Sequence, residues 1–394
     1  MLTSLAYIFL LGLVLAAVAK KFKLPSLIGM IITGILLGPY VFNVLDASIL
    51  GISSELRRLA LVIILTRAGL SLDIRDLKQV GRPAVLMCFV PATLEILGVV
   101  LIAPKIFDVT ILEAAIMGSV LAAVSPAVIV PRMIKLIDEG YGKENSIPQM
   151  ILAGASVDDV FVIVLFTAFI SLATGSKVAA SDLLQIPVSI IVGILVGVLV
   201  GLILVKGFKV FHMRDSVKVL IILSISFLLL ELETRLEDIV PMSGLLAIMS
   251  MGIAIKQFYS KLAVRISVKY NKLWVAAEVL LFVLVGAIVN LNYVFKAGMI
   301  AIVIVLGAMV FRMVGVFICV LGTKLSIKEK VFCMLAYTPK ATVQAAIGGL
   351  PLAMGLACGE KVLTLAVLAI LITAPFGAIC VDRSYQKLLR KNEE

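Results

Sequence analysis

Residues 123–127 read AVSPA and residues 336–341 read AYTPKA, and each segment lies inside an apolar run long enough to cross a membrane. Proline removes one helical hydrogen bond and clashes with the preceding turn. A hydroxyl side chain beside the proline can satisfy the backbone groups that are freed. The two segments therefore predict two interrupted transmembrane helices, with Ser125 and Thr338 at the interruptions.

The rest of the chain has the composition of a membrane protein. Of its 394 residues, 62% are hydrophobic and only 15% are charged, whereas about a quarter of the residues of soluble domains are charged. Apolar runs of spanning length recur between short polar loops. The sequence predicts an all-α polytopic membrane protein with about thirteen spans, at roughly 3–19, 25–42, 56–72, 83–103, 110–134, 148–172, 184–205, 217–231, 239–255, 273–291, 297–321, 329–356 and 361–381.

The loop charges predict an orientation. The 35 Lys and Arg residues are concentrated in every second loop, and loops rich in these residues stay in the cytoplasm. We therefore expect an inner-membrane or plasma-membrane protein with its N-terminus outside and its C-terminus in the cytoplasm. Because topology accounts for the net charge of +11, and no basic patch is present, nucleic acid is not an expected partner.

The two interrupted runs are the fifth and the twelfth. An offset of seven spans means that the two runs cross the membrane in opposite directions. Spans 1–6 and 8–13 then form two inverted six-helix repeats with crossed discontinuous helices, and span 7 connects them. Interrupted helices at matching places in two inverted halves mark the binding site of a transporter.

Two adjacent carboxylates, Asp158 and Asp159, lie about ten residues into the sixth run, near the membrane midplane. Burying one ionised group there costs at least ~2.5–3.5 kcal/mol, which indicates a functional role. Neighbouring residues on a helix point about 100° apart, so the two side chains face different surroundings. Because close carboxylates repel, one of them holds a proton that a hard cation can displace. Ser125 and Thr338 join the aspartates as candidate oxygen ligands for a monovalent cation.

Three further ionisable residues lie inside spans and are predicted to compensate charge. Lys340, in the second interruption, is expected to pair with Asp158 or Asp159, or to offset the negative carbonyl end of a broken helix. If it lost its proton, Lys340 would be a second proton carrier. Arg312 and Glu95 each lie well inside a run and are candidates for a buried ion pair.

Five segments carry a resemblance to a known family: SPAVIVP at 125–131, ASVDD at 155–159, Arg312-x-x-Gly315, TPKATVQA at 338–345 and RAGLSLD at 67–73. They resemble the motifs of the monovalent cation:proton antiporter superfamily. The similarity is greatest to the NHA-type sodium/proton exchangers and their bacterial relatives. It extends over essentially the whole chain.

The resemblance implies a homodimer that exchanges Na⁺, Li⁺ or K⁺ for protons by elevator-like alternating access, in the service of pH homeostasis. The implied core bundle covers about 83–172 and 297–381, and the implied dimerisation and gating bundle covers about 3–72 and 184–291. Asp159 would be the principal cation and proton carboxylate, with Asp158 beside it. Many electrogenic bacterial members carry a lysine where this chain has Arg312. Because arginine hardly deprotonates, Arg312 is not expected to be a second proton carrier.

Other functions fit parts of the pattern. A sodium-coupled symporter of organic anions could share the fold, although an Asp pair offers no donor to a substrate carboxylate. An intramembrane aspartyl protease needs two aspartates that converge from separate helices, whereas these two are adjacent. A channel or a sensor would differ by lacking proton-dependent flux. The sequence thus predicts a transporter, not an enzyme, that needs no cofactor, and it leaves the cation open because cavity size selects it.

Overall fold

The computed structural model describes residues 1–71, 81–174, 180–236, 240 and 242–391. These residues form helices and short loops, and their β structure is limited to one isolated bridge between Tyr141 and Lys391. In chain order the described helices are α1 (Leu2–Lys21), α2 (Ser26–Leu37), α3 (Ala47–Gly51), α4 (Ser53–Ser71), α5 (Arg82–Met87), α6 (Val90–Ile106), α7 (Ile111–Leu121), α8 (Pro126–Asp138), α9 (Ile147–Thr174), α10 (Ala180–Val210), α11 (Asp215–Leu236), α12 (Gly244–Phe258), α13 (Ser260–Ala287), α14 (Leu291–Cys319), α15 (Ile327–Ala336), α16 (Thr342–Ile347), α17 (Leu350–Ala353) and α18 (Gly359–Leu388).

Length and composition confirm a multi-pass membrane protein. Within the described residues, eight helical segments are long and apolar enough to cross a membrane: Leu2–Lys21, Arg82–Ile106, Ile111–Asp138, Ile147–Thr174, Ile191–Val210, Ser260–Ala287, Leu291–Cys319 and Gly359–Leu388. Three shorter apolar helices coincide with further predicted spans: Ser26–Leu37, Gly244–Phe258 and Thr342–Ala353. The other two predicted spans fall on α4 and α11, which carry several charged side chains. The count of thirteen and the inverted repeats stay predictions.

Contacts group the chain into two compact units, of which the first contains both interrupted helices. It comprises Met1–Ser54, Arg75–Phe166 and Val279–Glu394. Within it, α1 packs on α2, α6 packs on α14, and α18 packs on both α14 and α15. α18 packs against the short segments α7, α8 and α16, and α6 packs against α7. The ends of these short segments would otherwise leave backbone groups without partners.

The second unit comprises Glu55–Ile74 and Thr167–Glu278. In it, α10 packs closely along α12. Gly193, Gly197 and Gly201 recur every four residues on α10, and a Cβ atom at Gly197 would lie only 2.8 Å from the Cα atom of Ala247. Small residues at this spacing let two membrane helices approach through their backbones.

The bundles implied by the resemblance concern which helices move and which dimerise, and they stay a prediction. Asp73, the last residue of the RAGLSLD segment, lies outside the described residues.

Candidate ion-binding site

The first predicted interruption is present, because α7 ends at Leu121 and α8 begins at Pro126. Proline suits the first position of a helix, where its missing N–H would have no intrahelical partner in any case. Ser125, just before it, has an extended backbone with φ −88° and ψ 110°. The interruption leaves the last carbonyls of α7 and the first N–H groups of α8 inside the protein, where they need other partners.

The second interruption lies between α15, which ends at Ala336, and α16, which begins at Thr342. The two interruptions touch through their backbones, since the N–H of Ser125 donates to the carbonyl of Pro339 at 2.8 Å. The discontinuous helices therefore meet where both of them are broken.

A chain of buried ion pairs lies at this meeting point. Glu95, Arg312 and Lys340 are all fully buried. Nη1 of Arg312 lies 3.0 Å from Oε2 of Glu95, and Nζ of Lys340 lies 2.6 Å from Oε1 of the same carboxylate. Glu95 is thus shared by two cations, one from α14 and one from the second interruption.

Asp158, on α9, is held by a second set of donors. Its Oδ2 atom accepts hydrogen bonds from Nη2 of Arg312 at 2.8 Å and from the backbone N–H of Val124 at 2.9 Å. Val124 lies in the first interruption, just ahead of α8. The carboxylate therefore lies at the positive pole of α8, where a negative charge is stabilised.

Asp159 differs from its neighbour. It is half-buried, and its Oδ1 atom is buried without a hydrogen-bond partner among the described residues. Oδ1 of Asp158 is likewise buried without a hydrogen-bond partner among the described residues. Three carboxylates, of Glu95, Asp158 and Asp159, thus accompany two cationic side chains, of Arg312 and Lys340. With every group ionised, this cluster carries one net negative charge.

The carbonyl end of α7 is covered by side chains from later in the chain. Nζ of Lys340 donates to the carbonyl of Leu121 at 2.6 Å, and Nη1 of Arg312 donates to the carbonyl of Ala122. Gln344 donates from its amide to the same run of carbonyls. The donors complement the negative pole of a helix that ends inside the protein.

The charged contacts differ in one respect from those expected from the sequence. Glu95 and Arg312 form the buried pair that their depth indicated. Of the two alternatives for Lys340, the offset of a helix carbonyl end is confirmed, because Nζ donates to the carbonyl of Leu121 at the end of α7. The pairing with Asp158 or Asp159 is wrong, because the carboxylate beside Nζ is that of Glu95. Arg312 takes the place beside Asp158, since the guanidinium fork can reach two carboxylates at once.

The two hydroxyl residues have different surroundings. Thr338 donates its hydroxyl hydrogen to the carbonyl of Leu335 at 2.8 Å, which satisfies a group at the end of α15. The Oγ atom of Ser125 is buried and has no hydrogen-bond partner among the described residues. Their role as cation ligands stays a prediction.

Sequence reasoning missed three residues that shape the site. The carbonyl of Tyr337 accepts from Nε of Arg312 at 2.7 Å, and its ring lies 5.1 Å from the guanidinium carbon. The hydroxyl of Thr373 accepts from the backbone N–H of Lys340 at 3.0 Å. Gln344 covers carbonyls of α7. Each is a polar residue within an apolar run, and that depth is the signal that could have found them.

Two interrupted helices that meet at a buried cluster of charges have the architecture of a secondary ion transporter. Comparison with known proteins agrees. A family model described as sodium/hydrogen exchanger, transmembrane, matches residues 6–382. Human sodium/hydrogen exchanger 9B2 is 32% identical over 94% of this chain and 71% of its own length. Mouse sodium/hydrogen exchanger 9B1 is 33% identical over 94% of this chain and 67% of its own length.

A solved structure has the same fold. The sodium proton antiporter MjNhaP1 from Methanocaldococcus jannaschii superposes with a TM-score of 0.85 and 21% identity, over 98% of each chain. The chain belongs to the sodium/hydrogen exchanger family, which confirms the resemblance to the monovalent cation:proton antiporters. It is accordingly an integral multi-pass membrane antiporter of the sodium/proton class, a transporter and not an enzyme, and it needs no cofactor.

Proposed function

We propose that the protein exchanges Na⁺ for protons and that Asp159 is the carboxylate that carries both. The observation that supports this role is the difference between the acids of the cluster. Glu95 is held by two cations, and Asp158 is held by Arg312 and a backbone N–H. Asp159 alone of the three is only half-buried, and its Oδ1 atom has no hydrogen-bond partner among the described residues. It is therefore the acid most available to an ion that arrives from water.

The charge of the cluster supports competition between the two ions. A single negative charge in a low-dielectric interior is costly, and either one proton or one Na⁺ ion neutralises it. Both ions at once would leave an uncompensated positive charge. Mutually exclusive binding at one carboxylate is the physical basis of exchange.

Hard cations take oxygen ligands, and transporters of this kind supply carboxylates and unwound backbone. Around Asp159 the proposed ligands are the free Oδ1 atom of Asp158 and the hydroxyl of Ser125, both buried without partners among the described residues. Thr338 keeps lone pairs on its hydroxyl oxygen, because that hydroxyl donates to Leu335 and accepts nothing in the described contacts.

Elevator-like alternating access follows as the proposed mechanism. The backbone contact between Ser125 and Pro339, together with the ion pairs, supports movement of both interruptions as one body. We further propose that the protein forms a homodimer in the inner or plasma membrane. The loop charges favour an orientation with the N-terminus outside and the C-terminus in the cytoplasm.

The cluster favours this function over a symporter of organic anions. A substrate carboxylate needs a free cationic or N–H donor. In the described part of the cluster, Arg312 and Lys340 are both committed to carboxylates and to helix carbonyls.

The experiment uses purified protein in proteoliposomes. Proton movement driven by Na⁺, Li⁺ or K⁺ gradients is measured for the wild type, for Asp159→Asn, and for the matched control Asp138→Asn, whose carboxylate lies exposed at the end of α8. We expect Asp159→Asn to lose exchange while it elutes as a folded protein, and Asp138→Asn to behave as the wild type. Near-wild-type exchange by Asp159→Asn would refute the carrier assignment.

A further inference from the structure

A neutral amide lies against the end of α7, next to the charged cluster. Gln344 is the third residue of α16 and is fully buried. Its Nε2 atom lies 3.1, 3.2 and 2.9 Å from the carbonyl oxygens of Val120, Leu121 and Ala123. Two amide hydrogens are thus shared among three acceptors. The opposite orientation of the amide would place its oxygen against three carbonyl oxygens, so the amide nitrogen must be the atom that faces these carbonyls.

These carbonyls belong to the negative pole of α7, and they have lost the next turn of helix as partners. Lys340 covers Leu121, Arg312 covers Ala122, and Gln344 adds coverage of the carbonyls on either side of them. Unwound carbonyls of this kind coordinate cations in other transporters. An amide that holds them fixes the shape of the interruption and withholds those oxygens from the ion.

We propose that Gln344 is a positioning residue for ion exchange. It holds the carbonyl of Ala123 so that the next residue, Val124, keeps its N–H on Asp158. Asp158 is thereby fixed while its neighbour Asp159 stays available to the ion. Because the amide is neutral, it does this without cancelling the single net negative charge of the cluster, which the bound ion neutralises. This role rests on the proposed function of Asp159.

The proposal makes two separate demands on the side chain, and one variant tests each. Gln344→Met keeps the length but has no donor, so we expect the apparent KM for Na⁺ to rise about tenfold, the size of effect that loss of one or two buried hydrogen bonds produces. Gln344→Lys restores the donor but adds a positive charge. It should fold well and still bind Na⁺ at least about tenfold more weakly, because the cluster would then be neutral without an ion.

The measurement is Na⁺-driven proton movement in proteoliposomes over a range of Na⁺ concentrations and pH values, with thermal unfolding of each purified variant alongside. Gln149→Met, on the first turn of α9, is the matched control for the loss of an amide. A changed KM and a shifted pH of half-maximal exchange, with the maximal rate within about threefold of wild type, support the positioning role. A lower unfolding temperature and maximal rate, with KM and pH dependence unchanged, would reduce Gln344 to packing and overturn it. A KM for Na⁺ equal to that of the wild type in Gln344→Lys would overturn the claim that the side chain at this position must be neutral.

A third variant covers the case in which Gln344→Met does not fold. Gln344→Glu keeps the shape and can donate one hydrogen only when its carboxyl is protonated. Its KM for Na⁺ should approach that of the wild type in acid and diverge from it at alkaline pH, and a defect independent of pH overturns the proposal. The two ideas fail separately. An active Asp159→Asn overturns the carrier assignment, whereas an unchanged KM in Gln344→Met overturns only the positioning role.

Discussion

Replacing Arg312 by glutamine removes the side chain on which most contacts of the cluster converge. The guanidinium reaches Glu95, Asp158 and the carbonyls of Ala122 and Tyr337. Breaking one buried ion pair costs about 3–5 kcal/mol, and each orphaned carbonyl adds about 1–3 kcal/mol. Contributions within one network are not additive. We therefore expect a loss of about 5 kcal/mol in the free energy of unfolding.

The structure also ranks the two partners of Arg312. Glu95 keeps Lys340 at 2.6 Å when the arginine is removed, whereas Asp158 keeps no other cationic side chain within ion-pair distance among the described residues. A double-mutant cycle between Arg312→Gln and Asp158→Asn should therefore give a larger coupling energy than one between Arg312→Gln and Glu95→Gln. Both should fall within the ~0.5–3 kcal/mol typical of residues in contact.

The assay is reversible unfolding of the purified protein by SDS, followed by circular dichroism, for each single and double variant. The surface pair Arg132–Asp382 provides a control cycle, since its nitrogen and oxygen are also 3.0 Å apart but its side chains are 21% and 45% exposed. That cycle should give a coupling energy of about 0–1 kcal/mol. Coupling energies of zero for both buried pairs, or the reverse ranking, would show that the reasoning about the network is wrong.

The remaining predictions concern Lys340, Gly377 and charge movement. Lys340→Met should lower the free energy of unfolding by about 3 kcal/mol, because Glu95 and the end of α7 lose a cation. Unfolding by SDS tests this, with Lys340→Arg as the control that keeps the charge. A Lys340→Arg variant no more stable than Lys340→Met would contradict the prediction. Gly377→Ala should destabilise by about 1–3 kcal/mol, because the new Cβ atom would lie 2.7 Å from Cδ of Pro339 and 2.8 Å from Oγ1 of Thr338. The control Gly207→Ala has open space and should not destabilise, so equal unfolding temperatures for the two variants would refute the clash. Exchange should carry no net current on a solid-supported membrane, because the single charge of the cluster accepts one proton or one Na⁺; a sustained current would point to a second proton carrier.

The interruptions and the depth of the charges could be predicted from the sequence. Proline beside a hydroxyl residue has only local consequences, so the breaks fall where Pro126 and Pro339 predict them. The pairing of Glu95 with Arg312 followed from their depth, because a charge deep in an apolar span must meet another charge.

Beyond the pair of Glu95 and Arg312, which charges meet across the cluster could not be predicted. Depth is counted along one span, whereas partners depend on how several helices rotate about their axes and pack. Lys340 was expected beside the aspartates or at the carbonyl end of a broken helix; it lies at the end of α7, but its carboxylate partner is Glu95. The depth of Gln344 in an apolar run marks it as a polar residue in need of partners, but those partners could not be predicted, because the carbonyls that it covers are exposed only by a break in a distant helix.

The coverage of α7 by later residues has a consequence for biosynthesis. The carbonyl of Leu121 and the Lys340 side chain that covers it are 219 positions apart in the chain. At about 5–20 residues per second, the ribosome needs roughly 10–40 s to make the intervening segment. During that time the end of α7 has neither Lys340 nor Gln344, and each unsatisfied carbonyl in hydrocarbon costs several kcal/mol. A nascent chain that stops before α16 cannot satisfy this helix end as the full chain does, so truncated products should be held by the insertion machinery or degraded, and the first half alone should not form a stable membrane domain.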